Sequence, residues 1–456
     1  MPTRISIGSE IEVTIDSMAF TGRGVGRVGD KVVFVTGGIP GDRLTARIVK
    51  KKRSFLEAVA IDIIEPSDDR IKAPCRHFDV CGGCSFQNVP YEKQLHYKQD
   101  FIRDALVRIG GEHNPPIKEI IRCQQEFYYR NKMEFSFLPI AGAPARLGLH
   151  VRGRWNEIFD VEECLLQSEL SNEILAETKK LVNELEIPAY HISEHHGFIR
   201  FLVVRDSKQT GRIQVNIVTN KGDRPEIMKI VEVLRSKFDK IAAIYRTINS
   251  SQANVAAGER EELLWSDDDF FEIIGPHRFK VLPTTFLQTN TYQTEVLYNQ
   301  TLRAADFSPD QNVLDLYCGC GTISHFISPL VKSVLGVELN EAAVWLAGEN
   351  AKMNGIFNCR FVAADAARYL TELKHQDAYF DRIVVDPPRA GIGNKVVRRL
   401  ARLNPPVVVY VSCNPSTLAR DVEQFREHGY RLMDAVPVDM FPHTFHVETV
   451  CRLERN

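Results

Sequence analysis

The sequence predicts an α/β protein: a doubly wound, Rossmann-like C-terminal domain, preceded by a small β-barrel and a mixed α+β central segment. Three observations carry this. Short strands alternate with glycine turns up to residue 66, cysteines cluster at the start of the middle segment, and strands alternate with helices from about residue 286 to the end. A length of 456 residues agrees with three domains at roughly 150 residues each. With 44% hydrophobic and 25% charged residues the chain has a globular composition. No apolar run approaches the ~18 residues of a membrane span, so no membrane association is expected.

The opening stretch MPTRISIGSEIEVT lacks the apolar core of a secretory signal, so a cytoplasmic location is the expectation. No internal repeat is evident, and a monomer is expected. A net charge of −2 gives no general attraction to a polyanion; nucleic-acid contact would have to come from local basic patches. Without an export signal, the ten cysteines are expected to be metal ligands, nucleophiles or core residues rather than disulfides.

In residues 1–66 the runs IEVTIDSMAF, TGRGVGRVGD, KVVFVTG and DRLTARIVKKKRSFLEAVAIDII read as barrel strands. Lys50, Lys51, Lys52 and Arg53, with Arg43, Arg47 and Phe55 nearby, suit a loop that touches a phosphate backbone, or equally a solvated hairpin tip. Pro66, Ser67 and Asp68 mark a linker. Residues 70–285 form the central segment, with a helix expected at 167–186 and strands at FIRFLVVRD and RIQVNIVTN joined by the turn SKQTG.

Residues 286–456 hold the expected cofactor pocket. NVLDLYCGCGTIS is a buried strand, a glycine turn and a helix start, where Gly319 and Gly321 allow close backbone approach to a ligand. The next strand, SVLGVELN, ends in Glu338, placed to accept hydrogen bonds from ribose hydroxyls. The turn lacks a full GxGxxG, Asp365 follows the third strand where it could meet an adenine amine, and the fourth strand ends in DPPR. These details favour S-adenosylmethionine over a dinucleotide. Either acid taken alone is compatible with an ordinary surface carboxylate.

The fifth strand, VVVYVSCNPSTLARD, delivers Cys413 to the C-terminal edge of the sheet, and Asn414-Pro415-Ser416 turns into a helix whose amides would favour a thiolate. Glu448, in FPHTFHVETVCRL, is expected near the same edge. One thiol and one base are what methylation at carbon 5 of uracil requires. A thiolate adds to carbon 6 to make carbon 5 nucleophilic, and a base then removes the carbon 5 proton. Asp386 has two readings, as acceptor for the uracil N–H or as a cofactor contact. His443, His446 and Glu448 also form a minor candidate metal triad. The D-P-P-x pattern suggests amino-group methylation as an alternative, but its fourth residue is Arg389 rather than aromatic, and that chemistry has no use for Cys413 or Glu448.

Cys75, Cys81 and Cys84 form C-x5-C-x2-C, with Cys123 or Cys164 as a fourth ligand and Cys164 favoured by its context DVEECLLQ. Spacing alone leaves zinc and an iron–sulfur cluster equally open.

Together these motifs resemble the RNA 5-methyluridine (uracil-5-) methyltransferase family over nearly the whole chain, in particular its members that act on 23S ribosomal RNA. By that resemblance, residues 1–66 look like a TRAM domain, an RNA-binding barrel. Cys75, Cys81, Cys84 and Cys164 match the family's ligands for a [4Fe–4S] cluster, SCNP matches its nucleophile motif at Cys413, and HVET matches its base motif at Glu448. The resemblance assigns S-adenosylmethionine contacts to Gln288 in FLQTN, Tyr317, Glu338, Asp365 and Asp386, and to Thr322 where the family often has asparagine. YRNKMEFSF implies substrate contact at Arg130 and Lys132, and Phe286 is expected near the target base. Transfer RNA remains the alternative substrate.

Overall fold

The structure is a computed structural model that describes residues 5–456; residues 1–4, which open the first predicted domain and the stretch read for a signal, lie outside the described residues. Five strands, β1 (Glu10–Ala19), β2 (Arg23–Val28), β3 (Lys31–Thr36), β4 (Arg43–Lys51) and β5 (Phe55–Glu65), close into a barrel in the order β1-β2-β3-β5-β4. Alternation along the strands sends Val13, Ile15, Val33, Val35, Leu44 and Leu56 inward. On the outside, Arg43 is met by Glu12 and Glu65, Arg47 by Glu10 at 3.1 Å and Lys50 by Glu57 at 3.1 Å. Carboxylates therefore offset much of the basic character read from this stretch.

The central segment divides between two bodies. Helix α1 (Tyr91–Arg108) places Ile102, Ala105 and Leu106 in the C-terminal domain's core beside Leu418, Val422 and Phe425. Residues 117 and 121 then pair in parallel with Ala435 and Val438, adding a short edge to the C-terminal sheet. The remainder builds its own sheet from β6 (Lys132–Ile140), β7 (Ala143–His150), β8 (Ile158–Asp160), β9 (Ile199–Asp206), β10 (Ile213–Thr219), β11 (Ile241–Ile248) and β12 (Arg260–Ser266), in the order β12-β11-β10-β9-β6-β7-β8. Its core is completed by α2 (Glu169–Glu184), which Ser168 caps, and α3 (Glu226–Lys237).

The hairpin β13 (Phe271–Ile274) and β14 (His277–Lys280) precedes α4 (Thr291–Ala305), and Phe279 packs with Ile323 and Phe326 of the C-terminal domain. Then follow β15 (Asn312–Leu316), α5 (Thr322–Ile327), β16 (Ser333–Glu338), α6 (Glu341–Met353), β17 (Cys359–Ala363), α7 (Ala366–His375), β18 (Arg382–Val385), α8 (Gly393–Leu403), β19 (Val407–Ser412), α9 (Pro415–Glu427), β20 (Tyr430–Val438) and β21 (Glu448–Arg455). The sheet order is β17-β16-β15-β18-β19-β21-β20, parallel through β19, with β21 antiparallel to both of its neighbours. Strand order reverses between β16 and β18 on either side of β15, where ligands of doubly wound sheets bind. The barrel docks on this assembly through Phe20, whose ring meets Phe101 at 5.9 Å and Phe445 at 5.6 Å. No described helix is long and apolar enough to cross a membrane.

Candidate active site

The glycine turn after β15 is shaped by left-handed backbone at Tyr317, Gly319 and Gly321, with φ of 65°, 54° and 83°. At Gly321 a Cβ would also meet His325 at 2.9 Å and Phe361 at 3.0 Å, so the position excludes a side chain on two counts. Glu338, ending β16, accepts a 3.2 Å hydrogen bond from the Gly319 amide and a 2.9 Å bond from the Asn340 amide, tying the two strand ends together. Asp365 caps α7 by accepting from the Arg368 amide at 2.8 Å, the ordinary structural role. Tyr317 is brought among these acids: burial, then Asp365, Asp421 and Glu338, push its hydroxyl up to about 12. The Thr322 hydroxyl lies 2.8 Å from that of buried Tyr298. Gln288 is buried in the loop before α4, where its carbonyl accepts from Asn131 at 2.9 Å; that loop reaches the glycine turn where Cys320 Sγ donates to the Phe286 carbonyl at 3.6 Å.

Cys413 directly follows β19. Ser412 pairs with Thr449 at the last rung of the antiparallel β19–β21 ladder, and Cys413 and Glu448 are the residues just beyond it, close enough for the Glu448 carboxyl to raise the thiol. Glu448 is 3% exposed and one of its carboxylate oxygens, Oε2, has no hydrogen-bond partner. Burial, with Asp386 adding and Arg389 opposing, raises its carboxyl to about 8. Asp386, just past β18, is raised to about 7 by burial and by Asp315. Asn414 joins the two loops, capping α9 through the Ser416 amide at 3.1 Å and donating to the Arg389 carbonyl at 3.1 Å.

The thiolate expected at Cys413 from helix amides is not what the surroundings favour. Burial, Glu448 and Asp386 push the thiol up to about 12, and Arg389 opposes them only in part. Nor do His443, His446 and Glu448 form a triad. His443 stacks on Phe127 with ring centres 4.2 Å apart and meets Gln94 at 3.2 Å, whereas His446 lies 3.5 Å from Arg389. Among the described residues no three His, Cys, Asp or Glu side chains are grouped to hold a single metal ion.

Cys75, Cys81, Cys84 and Cys164 nevertheless line one small cavity walled by Phe78, Leu149, Phe159 and Val161. Burial raises the thiols of Cys84 to about 12 and of Cys164 to about 11. Gln87 donates to Cys84 Sγ at 3.2 Å and the Gly83 amide to Cys81 Sγ at 3.3 Å. Cys123 lies elsewhere, in a cluster with Tyr91 and Leu95. Arg130, Lys132 and Phe286 line a separate groove of about 1030 Å³ that also touches Cys81, Cys84 and Cys164. Phe286 is 70% exposed, the Arg130 guanidinium stands 6.0 Å over Phe441, and Lys132 meets Glu134 at 2.6 Å.

Sequence reasoning did not find Asp315, Tyr298 or Arg389 as members of this neighbourhood. Asp315, raised to about 7 by burial, accepts from Ser324 at 2.6 Å and leaves its Oδ1 without a partner. Asp315 sits inside a quoted motif and could have been singled out, and Arg389 is read in the sequence only as the non-aromatic residue of DPPR; nothing local marks Tyr298, whose partner Thr322 is 24 residues away.

The strand order, the glycine turn and the acids at the ends of β16, β17 and β18 define an S-adenosylmethionine-dependent methyltransferase. Family models match as tRNA (uracil-5-)-methyltransferase over residues 269–456 and as TRAM domain over residues 5–61. Across 448 residues the chain is 36% identical to an uncharacterized RNA methyltransferase of Halalkalibacterium halodurans, covering 97% of this chain and 96% of that one. A second, from Chlorobaculum tepidum, is 35% identical and covers 98% of this chain and 97% of its own. Among solved structures, the Pyrococcus abyssi tRNA (uracil-54, C5)-methyltransferase in complex with S-adenosyl-L-homocysteine aligns with a TM-score of 0.76 and 29% identity, over 97% of this chain and 99% of that one. The chain belongs to the S-adenosylmethionine-dependent RNA (uracil-5-)-methyltransferases.

Proposed function

We propose that this enzyme methylates a uridine of 23S ribosomal RNA by covalent catalysis, with Cys413 as nucleophile and Glu448 as base. The observation that carries the reading is a buried carboxyl group with an unpartnered oxygen, beside the thiol just past the last rung of the β19–β21 ladder. Cys413, which is not fully buried, gives its proton to solvent as its sulfur bonds to carbon 6 of the uracil, while the carbon 5–carbon 6 electron pair moves into an enolate. S-adenosylmethionine supplies the electrophilic methyl group that carbon 5 takes. Glu448 then removes the carbon 5 proton; the double bond re-forms as the sulfur–carbon 6 bond breaks and returns the thiolate. A Glu448 pKa near 8 suits a base that works close to neutrality.

Gln288, Tyr317, Thr322, Glu338, Asp365 and Asp386 would hold the cofactor. The glycine turn fits such a ligand because its left-handed backbone leaves room for close approach. Asp386 has a second role open to it, accepting the uracil N–H. Residues 1–66 would grip RNA, residues 70–285 would carry the cluster and residues 286–456 the transfer chemistry.

Cys75, Cys81, Cys84 and Cys164 would hold a [4Fe–4S] cluster. Their shared apolar cavity and the donors from Gln87 and Gly83 support it, since hydrogen bonds to sulfur stabilise cluster thiolates. Anaerobically purified protein should be brown with iron and sulfide in equal amounts; a colourless sample with stoichiometric zinc overturns the assignment.

RNA carrying 5-fluorouridine tests the mechanism. Fluorine cannot leave as a cation, so a covalent protein–RNA adduct should accumulate, and should vanish in Cys413→Ala. No adduct with a competent RNA sinks it. A transfer RNA substrate is the second reading, favoured by the Pyrococcus abyssi enzyme's action on tRNA and by the description of the matching family. Mapping 5-methyluridine in ribosomal and transfer RNA from a deletion strain separates the two.

A further inference from the structure

The hairpin between β7 and β8 presents Trp155 66% exposed at its tip, on the same groove as Phe286. A polar turn, Arg152-Gly153-Arg154-Trp155-Asn156-Glu157, thus holds a large aromatic mostly in water rather than in the core of its own domain. The turn is nonetheless firmly held. The Val151 amide donates to Glu157 at 2.9 Å, Arg154 meets Glu157 at 2.6 Å, and Gly153 takes the required left-handed φ of 75°. Arg152 is bound to three carbonyls of the cysteine loop, those of Phe78 at 2.8 Å, Cys84 at 2.9 Å and Cys81 at 3.2 Å.

The groove between the two aromatic side chains is cationic. Arg130, Lys132, Arg154 and Arg205 line it; Lys132 pairs with Glu134 and Arg154 with Glu157, which leaves Arg130 and Arg205 without a carboxylate partner among the described residues. Arg205 is almost fully buried and its Nε has no partner. Phe286 adjoins the cofactor turn through Cys320, while Trp155 stands on the wall built from the cysteine loop.

We infer that Trp155 is a second stacking platform, which binds an unpaired nucleotide flanking the target uridine, so that the substrate is a single-stranded stretch of RNA. Exposed aromatic faces beside cations recognise unstacked bases, whereas bases inside a duplex offer no free face. The inference rests on the RNA-methyltransferase reading of the same groove and adds the conformation of the RNA. Anchoring through Arg152 makes the platform rigid relative to the cysteine cage.

The test is a binding titration of the full-length protein with a single-stranded RNA dodecamer bearing one uridine, its duplex with a complementary strand, and versions carrying an abasic site at each position next to the uridine. The wild type should prefer the single strand. Trp155→Ala should raise its Kd about tenfold, and Trp155→Tyr should recover most of the loss. An abasic site at the stacked position should weaken wild-type binding by a similar factor and Trp155→Ala hardly at all. The abasic arm needs no folded variant. Unchanged Kd in Trp155→Ala, or wild-type preference for the duplex, overturns the inference. Binding that depends on Trp155 without a 5-fluorouridine adduct strikes the covalent mechanism and leaves this inference standing; an adduct with Trp155-independent binding does the reverse.

Discussion

Lys98 Nζ lies 2.6 Å from Asp439 Oδ1, and neither side chain is exposed to solvent. The same ammonium donates to the Phe441 carbonyl at 2.9 Å, and Tyr91 donates to the second Asp439 oxygen at 2.8 Å. A helix from the first quarter of the chain thus clamps the segment that leads into Glu448. Gln94 adds to the clamp by accepting from the His443 amide at 2.9 Å.

Lys98→Met should therefore destabilise the protein by about 3–5 kcal/mol, because it leaves a buried carboxylate without its cation. Urea unfolding measures this. Adding Asp439→Leu should restore much of the loss, since an apolar pair needs no charge compensation. If the single variant unfolds at the wild-type midpoint, the clamp contributes nothing.

Stability should fall as pH rises from about 7 to about 8 in the cofactor-free protein, above the range in which buried His325, His443 and His446, lowered to about 4, gain stability on deprotonation of the unfolded chain. Glu448, Asp386 and Asp315 have folded-state pKa values of about 8, 7 and 7, all above their unfolded values. Between those limits the folded state binds more protons than the unfolded one, so deprotonation favours unfolding. Their stabilising contribution is complete below the unfolded pKa and is lost through the folded one. Glu448→Gln should flatten the upper part of the profile, read as the thermal midpoint at each pH.

With its thiol raised to about 12, Cys413 should react slowly with iodoacetamide at pH 8. Asp386→Asn removes one of the carboxylates that raise it and should speed labelling several-fold. Peptide mass spectrometry isolates this cysteine from the other nine. Fast labelling of the free wild type would show a thiolate poised before RNA binds.

Gly321→Ala should cost about 1–2 kcal/mol from its left-handed backbone alone, and more from the contacts with His325 and Phe361. Its larger effect should be on cofactor affinity, because the turn must deform to accept the methyl group. Isothermal titration with S-adenosylhomocysteine checks this; wild-type affinity would mean that the turn has slack.

Features set by local chemistry are legible in the sequence. The strand, glycine turn and helix start at 312–324 can be read because positive φ selects glycine, and the cap of α2 can be read because Ser168 satisfies a free amide beside it. The cysteine-bearing strand tip at Cys413 is legible for the same reason, since its apolar run ends at a polar turn. The course of residues 91–121 is not. Their apolar face suits any core, and only docking against α9 and β20 assigns them to the C-terminal domain. The hairpin at 271–280 likewise lies before the boundary drawn at 286 yet packs inside that domain's core.

The sequence by itself determined the class of fold, the cofactor turn and which residues could do the chemistry, because each depends on neighbours a few positions away. Only the tertiary structure decided the electrostatics of Cys413, the pairing of Lys98 with Asp439 and the meeting of Trp155 with Phe286 on one groove. Those depend on burial and on contacts between segments from some tens to several hundred residues apart, which periodicity and spacing do not encode.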